Sequence, residues 1–486
     1  MFLRSVLIST TLLFSSASAV FASEPNVDSS MSTWFRDFKQ QATEQELYQF
    51  VHALPKGGDL HHHLSGSAFS EWWWELATSP ALNGGYEYYT RTSLTLCDGY
   101  DADPFALSAP YLLFKNLQKT SYDALSSCEK KGYKKLTSLT KEEKQAWLNS
   151  IRLDRPSEGR DAFFQTHWQR LNELFRNPTI LGELLIKNMQ AYAAENVQYF
   201  ETQTGVHGML NPDGTVMDPE AALAILDAAI HSERGEETGV TVKFQYALVR
   251  FLPNVEELLK DRYAFVDAHR EHYVGINLVG REDNDKGYPR RFLPVFRELR
   301  LNLPGVPLSI HAGEVDEPNQ HVRDTLLMGA DRIGHGLNTI TDPDTLLLMR
   351  HGPYLIEINL ISNLLLEYVD DYANHPFGEY LRLGIPVALS SDDRGMWDST
   401  LSDEFFVAVS EFNLSWNELR TVITNSISHS FLPEAEKARE LSKLNAALNR
   451  FAEARLKKQA LPDFRAPHQF ICRFKPAVCS TTRKTE

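Results

Sequence analysis

Eight short apolar, β-prone runs alternate with helical stretches through most of this chain of 486 residues. Alternation of this kind is typical of parallel strands that are joined by helices. Because eight such units close a barrel, we predict the α/β class and a TIM-type (β/α)8 barrel, with a doubly wound open sheet as the competing fold. The runs are Gly58–Leu64, Val197–Thr204, Val240–Val249, Tyr273–Val279, Val306–Ile310, Ala330–Gly334, Tyr354–Ile361 and Ile385–Ser390.

Imidazoles and carboxylates follow the ends of four of these runs. In a barrel the carboxyl ends of all strands converge on one mouth, so residues that are distant in sequence would meet there. An open sheet would not explain why every set follows a strand end. Metal-dependent hydrolysis needs imidazoles and a carboxylate to hold a cation, together with a further acid and base. The sets are Asp59–Leu64 (DLHHHL), His311–Glu314 (HAGE), Arg332–Gly336 (RIGHG) and Ser390–Asp393 (SSDD).

The first set has the spacing of metal ligands on a strand. His61 and His63 occupy alternate positions, so their side chains share one face, while His62 points to the other face. His335 lies between two glycines, whose lack of side chains would let a substrate approach closely. We interpret the histidines outside these sets as surface or core residues, because they lack such partners in the sequence.

Asp392 and Asp393 end the eighth run as adjacent carboxylates. Two neighbouring carboxylates repel each other unless a cation or a proton absorbs one of the charges. This pair therefore also favours a cation site at the strand ends.

The connection between the first two runs is far longer than one crossover helix requires, at about 130 residues. We interpret residues 77–158 as a subdomain inserted into a barrel that spans residues 55–465. Residues 23–54 form a helical extension, with a loose polar start and a helix at Trp34–Leu54. We expect this extension to pack on the core, with a homodimer contact as the alternative. Residues 466–486 form a C-terminal tail.

Residues 1–22 have the pattern of a secretory signal peptide. Arg4 supplies the positive start, an apolar stretch follows, and Ala17–Ala19 or Val20–Ala22 supplies the small residues of a cleavage site. The apolar stretch is too short to span a bilayer, and no later run of 18 apolar residues occurs. We therefore predict a secreted or periplasmic protein without a membrane anchor.

The four cysteines fit an oxidising compartment. They allow three pairings, of which proximity in the sequence favours Cys97 with Cys128 and Cys472 with Cys479. The formal net charge of -15 argues against nucleic acid or an anionic membrane as a main partner.

With these motifs in place, the sequence resembles the adenosine deaminase family of amidohydrolase-like barrels. The matching motifs are H-x-H-L-x-G at 61–66, GINLVG at 275–280, and then HAGE, RIGHG and SSDD, in the family's order. The resemblance covers residues 55–76 and 160–455. The signal segment, the helical extension and the cysteine-bearing insertion are similar to the secreted adenosine deaminase-related growth factors, as are NLVGRED at 277–283 and SSDDRGMW at 390–397.

The resemblance implies one zinc ion per chain, held by His61, His63, His311 and Asp392. Three nitrogens and one carboxylate oxygen are a chemically sensible set for zinc. It also implies that His335, together with Asp392, orients a water molecule and accepts its proton.

In the same family pattern, Glu314 protonates N1 of the purine while hydroxide attacks C6 and ammonia leaves. The backbone N–H of Gly280 contacts N3, and Asp393 contacts N7. The chain departs from the pattern at three positions. Ser65 stands in place of an Asp that contacts the ribose, Arg394 in place of a Pro, and Asn277 in place of an Asp on the fourth strand. These departures bear on substrate preference.

We therefore expect a secreted, zinc-dependent enzyme that hydrolyses adenosine and 2′-deoxyadenosine to inosine and deoxyinosine, with a purine nucleoside as its small-molecule partner. The alternatives are a deaminase of another 6-substituted purine or nucleotide, and a growth-factor-like secreted binding protein. The negative charge and the lack of a clear phosphate-binding loop count against nucleotides. The intact ligand set and acid count against a purely non-catalytic protein.

Overall fold

A computed structural model of the chain describes residues 27–97, 112–155, 157–283, 286–315, 317–462 and 468–479. Eight parallel strands form its centre, and we number them in chain order. They are β1 (Gly57–His63), β2 (Val197–Gln203), β3 (Thr241–Val249), β4 (Tyr273–Val279), β5 (Ser309–Ala312), β6 (Arg332–His335), β7 (Leu355–Ile358) and β8 (Val387–Leu389).

The eight strands form a closed barrel. They pair in chain order as two four-stranded sheets, β1 to β4 and β5 to β8. Parallel backbone bridges join the two sheets at both seams, between Ile276 and Leu308 and between His62 and Asp392. The closure confirms the predicted (β/α)8 barrel and excludes the open sheet.

Each predicted run overlaps a strand, but several boundaries were wrong. The fifth run, predicted as Val306–Ile310, is a strand at Ser309–Ala312. In the seventh run the strand stops at Ile358 and a helix begins at Leu360. The cause is a buried carboxylate from another part of the chain. Glu404 accepts hydrogen bonds from the backbone N–H groups of Leu360 and Ile361, at 3.0 and 3.1 Å. These N–H groups belong to the first turn of a helix and need an external acceptor.

Helices surround the barrel and connect its strands. Between β1 and β2, Asn177 caps a helix that starts with Pro178. The principal outer helices are Pro178–Ala194, Pro219–Ile230, Val255–Ala268, Leu293–Asn302, His321–Met328, Pro343–His351, Phe377–Leu383, Leu401–Glu411, Trp416–Ser428 and Glu434–Leu456. Further helices lie at Ser70–Thr78, Lys119–Ala124, Lys141–Asn149, Leu360–Leu365, Arg394–Trp397 and Gln469–Phe474.

The N-terminal segment forms two helices, Val27–Gln41 and Glu44–Ala53, where one was predicted. The break occurs at Thr43, which caps the second helix in a reciprocal capping box with Glu46. The predicted loose start is wrong from Val27 onward. Both helices pack on the chain's own core: the ring centroid of Phe35 lies 6.1 Å from that of Trp416, and the ring centroid of Phe50 lies 5.1 Å from that of Phe451. The proposed signal segment, residues 1–22, lies outside the described residues.

The long connection after β1 contains a small antiparallel sheet of its own. Tyr88–Arg91 is the central strand, between Asn116–Gln118 and Tyr133–Lys135. A disulfide joins Cys97 to Cys128, and a second joins Cys472 to Cys479, which confirms the pairing that proximity favoured. Residues 98–111 of this connection, and 480–486 of the tail, lie outside the described residues. Among the helices of the described ranges, none combines the length and the apolar composition that crossing a bilayer requires.

A buried ionic network lies inside the barrel. The Arg332 guanidinium donates to Glu201 at 2.5 Å and to Glu357 at 2.7 Å, and lies 3.6 Å from the ring centroid of Phe431. All three charged side chains are fully or almost fully buried. Arg332 therefore neutralises part of the charge of two carboxylates that water does not reach.

We expect Arg332→Leu to lower the free energy of unfolding by about 3–5 kcal/mol, because it leaves two buried carboxylates without their cation. Urea unfolding followed by circular dichroism measures the change. Arg382→Leu is the control, since Arg382 pairs with Glu418 on the surface and is half exposed. Its loss should be at most about 1 kcal/mol. Equal losses in the two variants would contradict the importance assigned to the buried network.

Candidate metal and catalytic site

Four side chains bring their donor atoms together at the carboxyl end of the barrel. The Nε2 atoms of His61 and His63 lie 3.0 and 3.2 Å from Nε2 of His311. Oδ1 of Asp392 lies 3.5 Å from Nε2 of His61 and 3.2 Å from Nε2 of His63. The ligands proposed from the sequence on β1, on β5 and after β8 therefore form one cluster.

The spacing of these atoms fits a tetrahedral cation. Ligand atoms that each lie about 2.1 Å from a tetrahedral zinc are about 3.4 Å apart. The observed separations of 3.0 to 3.5 Å bracket that value.

The hydrogen bonds on the far side of two rings support the same conclusion. Nδ1 of His61 lies 2.7 Å from the Glu357 carboxylate, and Nδ1 of His311 lies 2.8 Å from Oδ1 of Asn277. Both oxygens can only accept, so each Nδ1 carries a proton, and in a neutral ring Nε2 is left with a lone pair. Two lone pairs that face each other at 3.0 Å need a positive charge between them.

The electrostatic environment also favours a positive charge here. Burial alone would lower the pKa of His61, but hydrogen bonds and charge from Asp392 and Glu357 raise it to about 10. Burial opposes ionisation of Asp392 as well, yet contacts with His61 and His63 hold its pKa well below the usual range. The cluster therefore stabilises a cation, whether a proton or a metal ion.

His62 points away from the cluster, as the alternation of β1 predicts. Its Nδ1 lies 2.8 Å from the hydroxyl of Thr202, and its ring packs edge-on against Phe200. It is a buried core residue between β1, β2 and the helix Pro178–Ala194, whose Asn188 lies 3.4 Å from Nε2.

The two glycines beside His335 serve packing inside the protein, and the expectation that they admit a substrate was wrong. A Cβ at Gly334 would lie 2.7 Å from the ring of His61, and a Cβ at Gly336 would lie 2.7 Å from Ile356. Only glycine leaves room for the His61 ring to reach the cluster.

A chain of hydrogen bonds fixes the proton on His335. The backbone N–H of Phe377 donates to Nδ1 of His375 at 3.1 Å, so that nitrogen carries no proton. Burial lowers the pKa of His375 to about 3, so the neutral ring carries its proton on Nε2 and donates it to Oδ1 of Asn363 at 3.0 Å. Asn363 must then point its Nδ2 toward Nδ1 of His335, also at 3.0 Å. Since burial lowers the pKa of His335 to about 3 as well, its single proton lies on Nε2.

This tautomer separates His335 from the ligand set. The donor atoms of His335, His61, His311 and Asp392 lie within 4.8 Å of one another, which is close enough for a shared cation. However, the Nε2 atom of His335 presents a proton rather than a lone pair. His63 is therefore the better fourth ligand, and His335 acts toward the cluster as a hydrogen-bond donor.

Glu314 is a buried acid at the edge of the cluster. Its Oε2 lies 3.8 Å from Nε2 of His335, and its backbone N–H donates to Glu282 at 2.5 Å. Burial, with the negative charges of Asp392 and Glu282, raises the pKa of Glu314 well above its usual value. This shift favours the protonated carboxyl group, which can donate its proton.

Asp393 points toward the same space from the other side. Its carboxylate packs against Gly66, where an added Cβ would lie 1.5 Å from Oδ1. Oδ1 is buried and has no hydrogen-bond partner among the described residues. Arg394 turns away and forms a 3.0 Å ion pair with Glu195 behind the site.

A cavity of about 640 Å³ opens above the cluster. Besides the ligands His63, His311 and Asp392, the sequence-predicted residues Ser65, Gly280, Glu314 and Asp393 line it. Three residues in this region were not predicted: Gln203 and His207 also line the cavity, and His375 acts on the cluster through Asn363. Aromatic side chains of Phe163, Phe164, Trp168, Phe175 and Phe251 form much of the remaining wall.

Comparisons with known proteins agree with this arrangement. The family model described as adenosine deaminase matches residues 128–447, more than half of the chain. The chain is 26% identical to an adenosine deaminase of Lutzomyia longipalpis, and the alignment covers 86% of this chain and 82% of the relative. It is 24% identical to adenosine deaminase 2-A of Danio rerio, with 86% of this chain and 84% of the relative covered. With an adenosine deaminase of Aedes albopictus the identity is 30%, but the alignment covers only 54% of this chain and 50% of the relative.

Solved structures share the fold at low sequence identity. A zinc-bound amidohydrolase of Burkholderia ambifaria has a TM-score of 0.61 at 18% identity, with 86% of this chain and 96% of that chain covered. The adenine deaminase of Arthrobacter aurescens has a TM-score of 0.56 at 19% identity, with 81% and 98% covered.

We expect Asn363→Asp to move the proton of His335 from Nε2 to Nδ1, because a carboxylate oxygen accepts a hydrogen bond where the amide donates one. Nitrogen-15 NMR of protein with labelled histidine rings measures the change, since the two tautomers have different ring shifts. Asn417→Asp, an exposed asparagine, is the control and should leave the His335 signals in place. Nδ1 protonation of His335 in the unmodified protein would contradict the assignment.

Proposed function

The chain belongs to the adenosine deaminase family, a family of hydrolytic enzymes, and on this premise we propose that it is a zinc-dependent adenosine deaminase. The reaction is the hydrolysis of adenosine or 2′-deoxyadenosine to inosine or deoxyinosine and ammonia. The observation that carries the proposal is the convergence of three imidazole nitrogens and one carboxylate oxygen, with four donor-atom separations of 3.0 to 3.5 Å, beside a buried Glu314 whose pKa is raised.

We assign the metal to zinc and its ligands to His61, His63, His311 and Asp392, with one ion per chain. A set of three nitrogens and one oxygen suits zinc better than magnesium or calcium, which prefer oxygen ligands. The zinc-bound amidohydrolase with the same fold supports this choice. When bound, zinc lowers the pKa of water and so supplies a nucleophile near neutral pH.

Two side chains transfer protons, and a third orients the attacking water. The Asp392 carboxylate takes the proton of the attacking water, and Nε2–H of His335 donates a hydrogen bond that orients the oxygen. We had expected both His335 and Asp392 to accept the proton. We now assign that role to Asp392 alone, because the tautomer of His335 leaves its Nε2 without a lone pair. Glu314 gives its proton to N1, so the purine ring becomes electrophilic at C6. The C6–N bond then breaks: the amino group takes the proton held by Asp392 and leaves as ammonia, while the proton of the new C6 hydroxyl group returns to Glu314 and a carbonyl remains at C6.

The purine lies between two recognition groups. The backbone N–H of Gly280 donates to N3, at a position where φ of +85° favours glycine. Asp393 donates to N7 from the carboxyl oxygen that has no partner within the described residues, because burial and the charge of Asp392 raise the pKa of this group and so favour its protonated form. Both residues line the same cavity as Glu314 and Ser65, which supports a single nucleoside pose.

We also propose that the protein is exported, with residues 1–22 as its signal peptide, residues 23–54 as a helical extension and residues 77–158 as an inserted subdomain of the 55–465 barrel. The two disulfides support an oxidising compartment. The packing of the N-terminal helices on the chain's own core fits an extension that stabilises the barrel.

Metal analysis tests the ligand assignment. We expect about one zinc per chain in purified protein and nearly complete loss of both zinc and activity in His61→Ala and in His311→Ala, because each change removes a nitrogen ligand. His62→Gln is the matched control, since this neighbouring histidine points away from the cluster. Zinc retained at full stoichiometry in His311→Ala would overturn the assignment.

The acid is tested by Glu314→Gln. Gln can hydrogen-bond N1 but cannot protonate it, so we expect zinc to remain and kcat for adenosine to fall by roughly 10²–10⁴-fold. The assay follows ammonia release from adenosine, 2′-deoxyadenosine, adenine and AMP. A larger kcat/KM for AMP or adenine than for adenosine would reject the nucleoside assignment, while activity of Glu314→Gln near that of the unmodified protein would reject the acid.

A further inference from the structure

Gln203 is a buried amide that faces the cavity without a partner. It ends β2, lines the cavity above the cluster, and is only 4% exposed. Within the part of the chain that the structure describes, neither its Oε1 nor its Nε2 has a hydrogen-bond partner. Among the residues that the structure describes, no other amide side chain has both polar atoms buried and unpaired.

A buried amide without hydrogen-bond partners raises the free energy of the folded protein. Buried polar atoms nearly always have hydrogen-bond partners, and an unpaired donor or acceptor loses its interaction with water without compensation. An apolar side chain of similar size would avoid this cost at the same position. The unpaired amide is therefore explained best by a ligand that enters the cavity and supplies the missing donor and acceptor.

The position of Gln203 indicates which part of the ligand it meets. In the β1–β2 register Gln203 is paired with His63, and Ser65 follows His63 by two residues. Adjacent residues in paired strands point to the same side of a sheet, so Gln203 stands beside His63 at the mouth of the barrel. Gly280 and Glu314, which we propose to contact the purine, follow β4 and β5 farther around the barrel. The sugar of a bound nucleoside would then extend toward β1 and β2.

We infer that Gln203 hydrogen-bonds a ribose hydroxyl of the substrate and so supplies sugar recognition together with Ser65. This inference rests on the proposed nucleoside deaminase function. A hydroxyl both donates and accepts a hydrogen bond, and an amide offers both partners from one planar group. Because the amide carries no charge, it suits a neutral nucleoside better than a phosphate, which is usually bound by Arg, Lys or helix N-termini.

The test compares Gln203→Leu with the unmodified enzyme on adenosine and on its 2′-, 3′- and 5′-deoxy analogues. We expect KM for adenosine to rise about 10-fold, the factor for one lost hydrogen bond to a buried neutral partner. For the analogue that lacks the contacted hydroxyl, KM should be high already in the unmodified enzyme and should change less than about 2-fold on mutation. This loss of sensitivity identifies the hydroxyl and would not arise from a merely structural role.

Gln145→Leu is the matched control. Gln145 is exposed and does not line the cavity. Its KM for adenosine should stay within about 2-fold of the unmodified value. A KM for adenosine that is unchanged in Gln203→Leu, or a rise that is equal for all four nucleosides, would overturn the inference. Either result would assign the amide to an internal water.

A second measurement keeps the test valid if Gln203→Leu does not fold. Gln203→Asn retains an amide but draws it back by one methylene, and calorimetric binding of purine ribonucleoside to this variant should be weakened about 10-fold relative to the unmodified protein. Binding of the free base purine should not change. Failure of the proposed function itself is seen separately, as absence of adenosine turnover and of nucleoside binding by the unmodified, zinc-loaded enzyme.

Discussion

The seam between β8 and β1 is the contact on which the candidate site depends. The backbone N–H of His63 donates to the carbonyl of Asp392 at 3.1 Å, and the N–H of Asp392 donates to the carbonyl of His61 at 2.9 Å. These two bonds join the first barrel strand to the residues after the last one, and they bring two histidines and an aspartate within reach of a common ion. Residues that are 330 positions apart become ligand neighbours only because the barrel closes.

Closure at this point has a conformational cost. Asp392 and His335 adopt φ angles of +55° and +65°, in the left-handed region that residues other than glycine rarely enter. Strain of this kind costs of order 1–3 kcal/mol for each residue and persists only where the surroundings enforce it. Here the seam hydrogen bonds hold Asp392, while Asn363 and Asn359 hold the ring of His335. Both strained residues direct their side chains at the reaction centre.

Local patterns in the sequence were sufficient to predict the barrel and the meeting of polar residues at its strand ends, while the choice of the four ligands came from the resemblance to the family. Eight apolar runs, and two histidines at alternate positions of one run, need no knowledge of distant contacts. The supporting hydrogen bonds were missed because their partners come from other strands. Glu357 on β7 and Asn277 on β4 orient His61 and His311 from strands remote in sequence. A polar residue that interrupts an otherwise apolar strand was the available signal, as in Leu355–Ile358, where Glu357 is the single charged side chain.

His375 shows a different limit of the sequence. It looked like an isolated histidine, and its importance arises only from the fixed donor at the backbone of Phe377 and the path through Asn363 to His335. The end of the seventh run was equally hidden, since a carboxylate on a later helix, Glu404, ends that strand and starts a new helix. In both cases polar groups that are distant in the sequence determine a local feature: the position of a proton in the first case and the end of a strand in the second. The periodicity of apolar residues in the sequence does not indicate such contacts.

The charges inside the barrel explain why a positive charge suits this interior. Asp392 is part of the cluster, while Glu357 and Glu201 are joined to it through His61 and Arg332. These three carboxylates are buried, and the single guanidinium of Arg332 does not balance them. Unpaired buried charge is strongly destabilising, so a cation among the clustered side chains is favoured. The same ionic network that stabilises the barrel core therefore favours positive charge at the mouth of the barrel.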